Sequence, residues 1–369
     1  MAKGGQEICL PFQGGAEIKM LRKRIPEIRL DYFKKLTDDM GLFQFGKYSV
    51  PDRKSGYTTD DNARALIVAL KHHAMFNDQE SADLAGIYLG FLHYAQKENG
   101  RFHNLVDYRR NFLDEEGSED AHGRALWSCG FALDSKIYGN IKKLAKEIFE
   151  KSIIASLDFR SLRARAYAIS GLYHYFKCFR SPDIMEKMIH IARLLEECYA
   201  KESDKTRDWK WFEPYLTYDN ARLSKAFFYL YEVTAEEKYL RIGLQTLEFL
   251  TGMVLIDEKL VVIGQEEWYQ RDGIKSVYDQ QPIDAAAMVD LYVTAYRITK
   301  DKRFRKMALI SFEWFLGRNV QNASLYDENT SGCYDGLNPK GLNLNQGAEA
   351  IVSYLLARLD IEELKRRIK

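Results

Sequence analysis

Clusters of acidic and hydroxyl side chains precede long apolar stretches at several places in the 369-residue chain. Three of them open the stretches GYTTDDNARALIVALK (56–71), GSEDAHGRALW (117–127) and LTYDNARL (216–223). One Ser, Thr, Asp or Asn residue is enough to cap a helix, so each cluster holds more polar groups than capping needs. Hydrolysis of a glycosidic bond uses two carboxyl groups, one protonated and one ionised, and these clusters supply candidates for both.

Three carboxyl groups are the candidates for catalysis. Glu213 lies among aromatic residues in DWKWFEPYLTYDNAR (208–222). Aromatic neighbours exclude water from a carboxyl group and raise its pKa, which predicts that Glu213 is the general acid. Asp61 is predicted to be its partner, and Asp120 is the next candidate for that role.

An arginine lies one turn inside each of these three stretches. Arg64, Arg124 and Arg222 allow two interpretations. They either form ion pairs that tie neighbouring helices together, or they contact an anionic or hydroxyl-rich ligand directly.

Aromatic residues in otherwise polar loops predict stacking surfaces for a sugar, which has an apolar ring face and a rim of hydroxyl groups. Trp211, Tyr218 and Trp268 are the predicted stacking residues. The remaining predicted ligand-binding residues are polar: Asp60, His122, Asp219, Gln280, Gln281, Asp284, Asp335, Asn345, Gln346 and Glu349.

Two kinds of helix alternate along the chain and must position these residues. Six stretches aligned on Arg64, Arg124, Arg165, Arg222, Ala287 and Glu349 are apolar nearly all round after their first turn, which predicts buried helices. More amphipathic stretches lie between them, over 26–40, 79–97, 140–152, 183–201, 236–252 and 302–316. Six buried and six half-exposed helices in alternation predict an all-α fold, the (α/α)6 toroid, in which six helical hairpins form an inner and an outer ring.

The loops that lead into the inner helices are long, and long loops in a compact domain are usually functional. They meet on one face, so the polar helix starts would line one cavity. Across the ring, Asp60 or Asp61 would face Glu213 or Asp219, and Asp120 would face Asp284. The stretch MVLIDEKLVVIG (253–264) alternates around Asp-Glu-Lys, which predicts a small β-hairpin in one of these loops.

Composition argues against several classes of protein. Lys and Arg number 54 against 53 Asp and Glu, evenly spread, which disfavours a nucleic-acid partner. No apolar run is long enough for a membrane helix, and no signal-peptide core is found, which predicts a cytoplasmic protein. The five cysteines form no CxxC pair, and no metal or nucleotide motif occurs, so neither a metal nor a cofactor is predicted. We expect an N-terminal arm over 1–25 and a single toroid domain over 26–369.

Several motifs together resemble a known family: TTDDNARAL, SEDAHGRALW, WKWFEPYLTYDNARL, DQQPIDAAAM, WFLGRN and GCYDGLNPKGLNLNQGAEA. The chain is similar over roughly 26–360 to (α/α)6 proteins described as glycosidase-related or glycosyltransferase-associated, which occur alone or fused behind glycosyltransferase domains. The resemblance implies the toroid that many glycoside hydrolases and sugar 2-epimerases share, and it implies work on carbohydrate. This chain departs from the fused members because it carries no glycosyltransferase domain.

Three functions are therefore open. The first is a glycoside hydrolase acting on a manno- or gluco-oligosaccharide through paired carboxylates. The second is a non-catalytic oligosaccharide-binding partner of a separate glycosyltransferase. The third is a sugar epimerase or isomerase with His122 as its base, since proton transfer beside a carbonyl suits a histidine.

Overall fold

The computed structural model of the protein describes residues 24–204, 206 and 208–366. The predicted arm over 1–25 therefore lies, up to residue 23, outside the described residues. Twelve helices run through the described part: α1 (Asp31–Lys35), α2 (Thr59–Phe76), α3 (Gln79–Ala95), α4 (Glu119–Asp134), α5 (Gly139–Ser152), α6 (Leu162–Phe179), α7 (Pro182–Glu202), α8 (Ala221–Thr234), α9 (Glu237–Val254), α10 (Pro282–Thr299), α11 (Lys302–Glu313) and α12 (Ala348–Arg366).

The even-numbered helices form a closed inner ring. Each packs against the next, and α12 returns to pack against α2. Their side chains are buried on nearly every face, as expected for helices that are apolar all round. Helices α3, α5, α7, α9 and α11 each pack outside the inner helix that precedes them, and short α1 packs against α12. This arrangement confirms the predicted (α/α)6 toroid.

Hydroxyl side chains start three of the inner helices. Thr58, Ser118 and Ser161 each have extended backbone and accept a hydrogen bond from the main-chain N–H three residues on. Such caps satisfy amide groups that have no partner inside the helix. Part of each polar cluster is therefore explained by capping, and the acidic residues that follow are left for other contacts.

Short strands join the long loops. Two-residue strands Tyr57–Thr58 and Leu105–Val106 pair antiparallel, and so do Tyr215–Leu216 and Tyr269–Gln270, so loops of different hairpins are linked on one face. The other antiparallel pairs are Gly46–Lys47 with Val50–Pro51, Leu255–Ile256 with Lys259–Leu260, Tyr326–Asp327 with Gly332–Cys333, and Gly336–Asn338 with Gly341–Asn343. Single-turn 3-10 helices are formed by Arg53–Ser55, Ile154–Ser156 and Trp314–Leu316.

The predicted β-hairpin is confirmed. Strands Leu255–Ile256 and Lys259–Leu260 are joined by Asp257 and Glu258, whose φ angles of 48° and 56° place both in the left-handed region. Two consecutive left-handed residues are the signature of the tight turn whose twist matches antiparallel strands.

The helix predicted over 26–40 is wrong in extent, because only Asp31–Lys35 is helical. Residues before it run along the last inner helix, where the Pro26 carbonyl accepts a hydrogen bond of 2.9 Å from Arg358 Nε. After it, the Asp38 carboxylate accepts from the main-chain N–H groups of Met40 and Gly41, which turns the chain. A side chain that satisfies main-chain groups in this way competes with helix formation. In the described residues, no helix combines the length and apolar character needed to cross a membrane.

Close approach of α4 and α6 generates a stability prediction. A Cβ atom added at Gly171 would lie 2.5 Å from the main-chain oxygen of Leu126, whereas one added at Gly90 in α3 would have no atom within 4 Å. Gly171→Ala should therefore lower the free energy of unfolding by about 1–3 kcal/mol through overpacking. Gly90→Ala should raise it by about 0.5–1 kcal/mol, the usual helix gain. Chemical denaturation of both variants measures this, and equal effects would contradict the close packing.

Candidate functional site

A polar cavity of about 330 Å³ lies at the amino ends of α2 and α12. The loops before α2, α4, α10 and α12 complete its walls, as the long-loop argument predicts. Its volume is within the range of small-molecule sites. The lining residues are Gln44, Phe45, Thr58, Asp60, Asp61, Arg64, Asn104, Gln281, Asp335, Asn343, Gly347, Glu349 and Ala350.

Arg64 holds three carboxylates together in this cavity. Its Nη2 atom lies 2.9 Å from Asp60 Oδ1, 2.8 Å from Asp61 Oδ1 and 3.4 Å from Glu349 Oε2. The Arg64 side chain is almost fully buried, while that of Glu349 is 41% exposed. Glu349 therefore faces the open part of the cavity, and the two aspartates lie deeper.

Arg124 and Arg222 extend these contacts around the ring. Arg124 pairs with Asp60, donates to the Tyr167 hydroxyl at 2.8 Å and lies 3.7 Å from Asp219. Arg222 lies 3.2 Å from Asp219 and also pairs with Asp290 of α10. The structure therefore shows the first of the two roles predicted for the arginines, since these ion pairs connect helices of different hairpins.

Neighbouring carboxyl groups have opposite pKa shifts. Burial, together with the charges of Asp60 and Glu349, raises the pKa of Asp61 to about 7, although Arg64 opposes the change. Burial acts on Asp60 in the same direction, but Arg124 and Arg64 outweigh it and hold the pKa of Asp60 below its ordinary value. Burial and the charge of Glu349 raise the pKa of Asp335 to about 6. At neutral pH, therefore, Asp60 is ionised, while its neighbour Asp61 is protonated in a substantial fraction of molecules.

Short hydrogen bonds fix the orientation of these acids. The Thr58 hydroxyl lies 2.7 Å from Asp61 Oδ2, and Asp61 N donates to the same hydroxyl oxygen at 3.0 Å. The main-chain N–H of Gly347 donates to Asp335 Oδ1 at 2.5 Å. The Asn104 side chain accepts from the main-chain N–H of Asp60 at 3.3 Å. The acids are thus held in place by the loops around them.

Glu213 lies elsewhere, in a second cavity of about 420 Å³ beside the start of α6 and the end of α7. Its carboxylate is 3.0 Å from Arg163 Nη1. Arg163 also donates to Tyr218 O and the Thr217 hydroxyl, both at 2.6 Å. The structure therefore places Glu213 beside a cation and in a different cavity from Asp61.

Two other predicted acids lie near the ring centre but outside the lining of the first cavity. Asp120 accepts from the Ser161 hydroxyl at 2.7 Å and from the Tyr218 hydroxyl, whose ring centroid is 6.2 Å from that of Trp268. Asp284 accepts from the main-chain N–H of Asp219 at 2.6 Å. Burial and the charge of Asp219 raise the pKa of Asp284 well above its ordinary value.

His122 and Trp211 are core residues in the structure. The His122 ring is packed edge-on against Phe102 and Phe159, each with a centroid distance of 5.1 Å. Burial lowers the pKa of His122 to about 4. Trp211 has no exposed surface, so it is not available for stacking on a ligand.

Three predicted amide residues hold loops together. Gln280 accepts from the Trp314 indole at 2.8 Å, Gln346 donates to Asp327 at 3.0 Å, and Asn345 accepts from Tyr48 N at 3.0 Å. All three lie outside the lining of the first cavity.

Seven lining residues are not among the ligand-binding residues predicted above: Gln44, Phe45, Thr58, Asn104, Asn343, Gly347 and Ala350. Phe45 is the aromatic residue of the lining, and it is 51% exposed. It occurs in the loop LFQFGKYS (42–49). An aromatic residue in a partly polar loop is also the pattern that predicts Tyr218 and Trp268 as stacking residues. Among the described residues, no three His, Cys, Asp or Glu side chains form a group that could hold a metal ion.

No protein-family profile matches the chain, and no curated protein matches it in sequence. Solved structures with similar folds include cellobiose 2-epimerase from Bacillus thermoamylovorans, with 13% identity, a TM-score of 0.71, and coverage of 91% of this chain and 96% of that one. A D-mannose isomerase shares 16% identity, with a TM-score of 0.66 and coverage of 90% and 94%. The α-1,6-mannanase GH76A from Salegentibacter sp. shares 12% identity, with a TM-score of 0.64 and coverage of 90% and 96%. At these identities the likeness shows the fold alone.

The opposite pKa shifts of Asp60 and Asp61 predict different pH dependences of stability for two variants. An aspartate of the unfolded chain ionises near pH 4, about three units below the folded value for Asp61. Between these values the folded protein binds more protons at Asp61 than the unfolded chain does, so stability falls as pH rises. Asp61→Asn removes this loss. The free energy of unfolding of the variant minus that of the wild type should therefore rise with pH through this window and stay constant above it.

Asp60→Asn is the comparison for that measurement. Because the pKa of Asp60 is held low in the folded protein, its own stabilisation is present above about pH 4 and is lost as pH falls below that value. The charge of Asp60 also helps to raise the pKa of Asp61, so between about pH 4 and 7 the difference between Asp60→Asn and wild type should rise with pH, but by less than the difference for Asp61→Asn, since burial still raises the pKa of Asp61. Chemical denaturation measures both differences, and one for Asp61→Asn that stays constant over this range would contradict the raised pKa.

Proposed function

We propose that the protein is a glycoside hydrolase that acts on a manno- or gluco-oligosaccharide, with Asp61 as general acid and Asp60 as the ionised partner. The observation that carries the proposal is that both side chains line one polar cavity and have pKa values shifted in opposite directions. Two carboxyl groups whose environments separate their pKa values are the recurrent arrangement of acid and base in glycosidases.

In this role, Asp61 would donate its proton to the oxygen of the leaving sugar. The ionised Asp60 would either attack the anomeric carbon or stabilise the positive charge that develops there. In either case water would then attack the anomeric carbon and return a proton to Asp61, so that the sugar is released and both carboxyl groups are restored. Arg64 touches both carboxylates, so a change of charge on one is felt by the other. The catalytic acid predicted from sequence as Glu213 is replaced in this proposal by Asp61, because Glu213 pairs with Arg163 outside the cavity.

The lining of the cavity supports a sugar as ligand. The amide groups of Gln44, Asn104, Gln281 and Asn343 join the acids in a wall that can both donate to and accept from hydroxyl groups. Phe45 adds an exposed apolar ring at this wall. A polar wall with one aromatic face suits a sugar ring better than a flat apolar ligand.

One similar structure supports the choice of the adjacent aspartates. It is an inactive variant of the Salegentibacter α-1,6-mannanase in complex with α-1,6-mannotriose, in which two consecutive aspartates are replaced by asparagine. Asp60 and Asp61 are likewise consecutive and lie at an inner-helix start. The epimerase alternative has similar structures of its own, but no histidine is found among the described residues that line the cavity, and His122 lies in the core.

The second candidate is the oligosaccharide-binding partner of a glycosyltransferase. It is favoured by one observation, namely that both aspartates are engaged by arginines. Such ion pairs would hold a binding surface rigid without any proton transfer. The two candidates differ in whether the protein releases a product.

A product assay on the purified protein tests the proposal. Wild type is incubated with manno- and gluco-oligosaccharides of several linkages, and shortened sugars are measured. Asp61→Asn and Asp60→Asn should each lower kcat by about 10²–10⁴-fold, the usual contribution of a positioned acid or base. Glu213→Gln is the control and should keep most of the activity, since Glu213 lies in another cavity.

Each outcome of that assay separates the candidates. Loss of activity in Glu213→Gln with unchanged melting temperature would return the acid to the position predicted from sequence. If wild type releases no shortened sugar while an oligosaccharide raises its melting temperature, the hydrolase is excluded and the binding function is supported.

Phe45 generates a second prediction about the same cavity. Phe45→Ala should weaken sugar binding by roughly two- to tenfold, because stacking on an aromatic ring contributes about 0.5–1.5 kcal/mol beyond area burial. Phe76→Ala is the matched control: it removes a ring of similar exposure (44% against 51%) at the carboxyl end of α2. Isothermal titration calorimetry with the best oligosaccharide measures both, and an equal effect of the two changes would exclude stacking at Phe45.

A further inference from the structure

A third cavity, of about 200 Å³, lies inside the inner ring, and we name it the lower chamber. Every inner helix contributes to its lining, and it extends to residues near the carboxyl ends of α4, α6 and α10, such as Asp134, Lys177 and Arg297. The chamber therefore opens at the face opposite the long loops. Its volume has room for several waters, each of which occupies about 30 Å³ in the liquid, and so for a ligand of monosaccharide size.

Each of the five cations that line the lower chamber has a carboxylate partner. Lys71 pairs with Asp360, and Lys225 lies 2.5 Å from Asp290, which also pairs with Arg222. The remaining two cations of the lining, Lys177 and Arg297, pair with Asp134 and Glu232 respectively. His174 Nδ1 lies 2.9 Å from Asp134, and burial lowers the pKa of His174 to about 4, so its ring is neutral at neutral pH. A ligand with net charge would have to compete with one of these partners.

Aromatic rings form the apolar part of the lower chamber. Arg222 and Lys225 lie over the Trp127 ring at 4.7 and 5.4 Å from its centroid. Tyr173 and Tyr229 are stacked in parallel, with centroids 3.9 Å apart. The rings and the paired charges thus share the wall of the lower chamber.

We propose that the lower chamber is a second ligand site, which binds a neutral, polyhydroxylated molecule of monosaccharide size. A hydroxyl group both donates and accepts, so it bridges an ammonium–carboxylate pair without displacing either member. Phe131, which is half-buried, gives the apolar face of the sugar a ring to pack against, and the largely buried rings of Trp127, Tyr173 and Tyr229 border it. This site is separate from the proposed hydrolytic cavity, and the inference does not depend on hydrolysis.

Trp127 provides the test, because it is the tryptophan of the chain that lines the lower chamber. Purified full-length protein is titrated with glucose, mannose and a linear polyol, and separately with sodium phosphate, while tryptophan fluorescence is recorded. A neutral sugar or polyol should change the fluorescence in a saturable way, and Trp127→Phe should abolish this change. Phosphate should produce no saturable change.

Two lysine variants form a matched pair for the same titration. Lys177→Ala removes a lining cation and should raise the Kd by at least about tenfold, the size expected for a hydrogen bond to a charged group. Lys238→Ala, on outer helix α9, removes a lysine with the same side-chain exposure of 41% and a comparable carboxylate partner, and should leave the Kd unchanged.

Three results would overturn the inference. The first is that no neutral sugar or polyol changes the fluorescence at any concentration up to the solubility limit. The second is that the change persists in Trp127→Phe but is lost in Phe45→Ala, which assigns the binding to the first cavity, at the amino ends of α2 and α12, or upper cavity. The third is that phosphate saturates the signal and the neutral molecules do not, which makes the lower chamber an anion site.

Discussion

A chain of buried ion pairs crosses the inner ring, and the arrangement of the helices depends on it. It runs from Asp60 through Arg124, Asp219 and Arg222 to Asp290, and it joins α2, α4, α8 and α10 through the loop residue Asp219. Removing one member of a buried pair leaves an uncompensated charge and typically costs about 3–5 kcal/mol. The recurrence of an acid and an arginine at the starts of α2, α4 and α8 therefore has a structural cause, since each helix supplies part of one shared network.

The same network determines which carboxyl group at the candidate site is ionised. Asp60 is a member of the chain and has two guanidinium groups in contact, so its charge is stabilised. Its neighbour Asp61 contacts one guanidinium group, that of Arg64, and lies beside the acids Asp60 and Glu349. Burial and repulsion from these acids therefore outweigh Arg64 and raise the pKa of Asp61. The ion pairs that join the inner helices therefore also separate the pKa values of Asp60 and Asp61. The proposed reaction needs this separation, because it uses one protonated and one ionised carboxyl group.

The parts of the structure that depend on local pattern were predictable from sequence. The inner helices are apolar all round, and the hairpin at Asp257 and Glu258 follows from a short turn between alternating residues. Glu213 was not predictable, because its partner Arg163 is fifty positions away and no local pattern reveals the pair. Trp211 and His122 illustrate the same limit: a residue in a polar stretch can still be drawn into the core by contacts such as those with Phe249 and Phe159.

The ion-pair chain also bears on how the two faces of the toroid are related. Asp60 lines the upper cavity, while Arg222 and Asp290 line the lower chamber, so the chain has one end in each. A ligand in the lower chamber alters the upper cavity only to the extent that it favours one arrangement of these pairs over another. Because such coupling is reciprocal, a sugar in the upper cavity would change the affinity of the lower chamber by the same factor. The loops that carry Phe45 and Asn343 contribute neither residue to this chain of ion pairs, so changes at these two positions can alter specificity without disturbing the charges that hold the ring together.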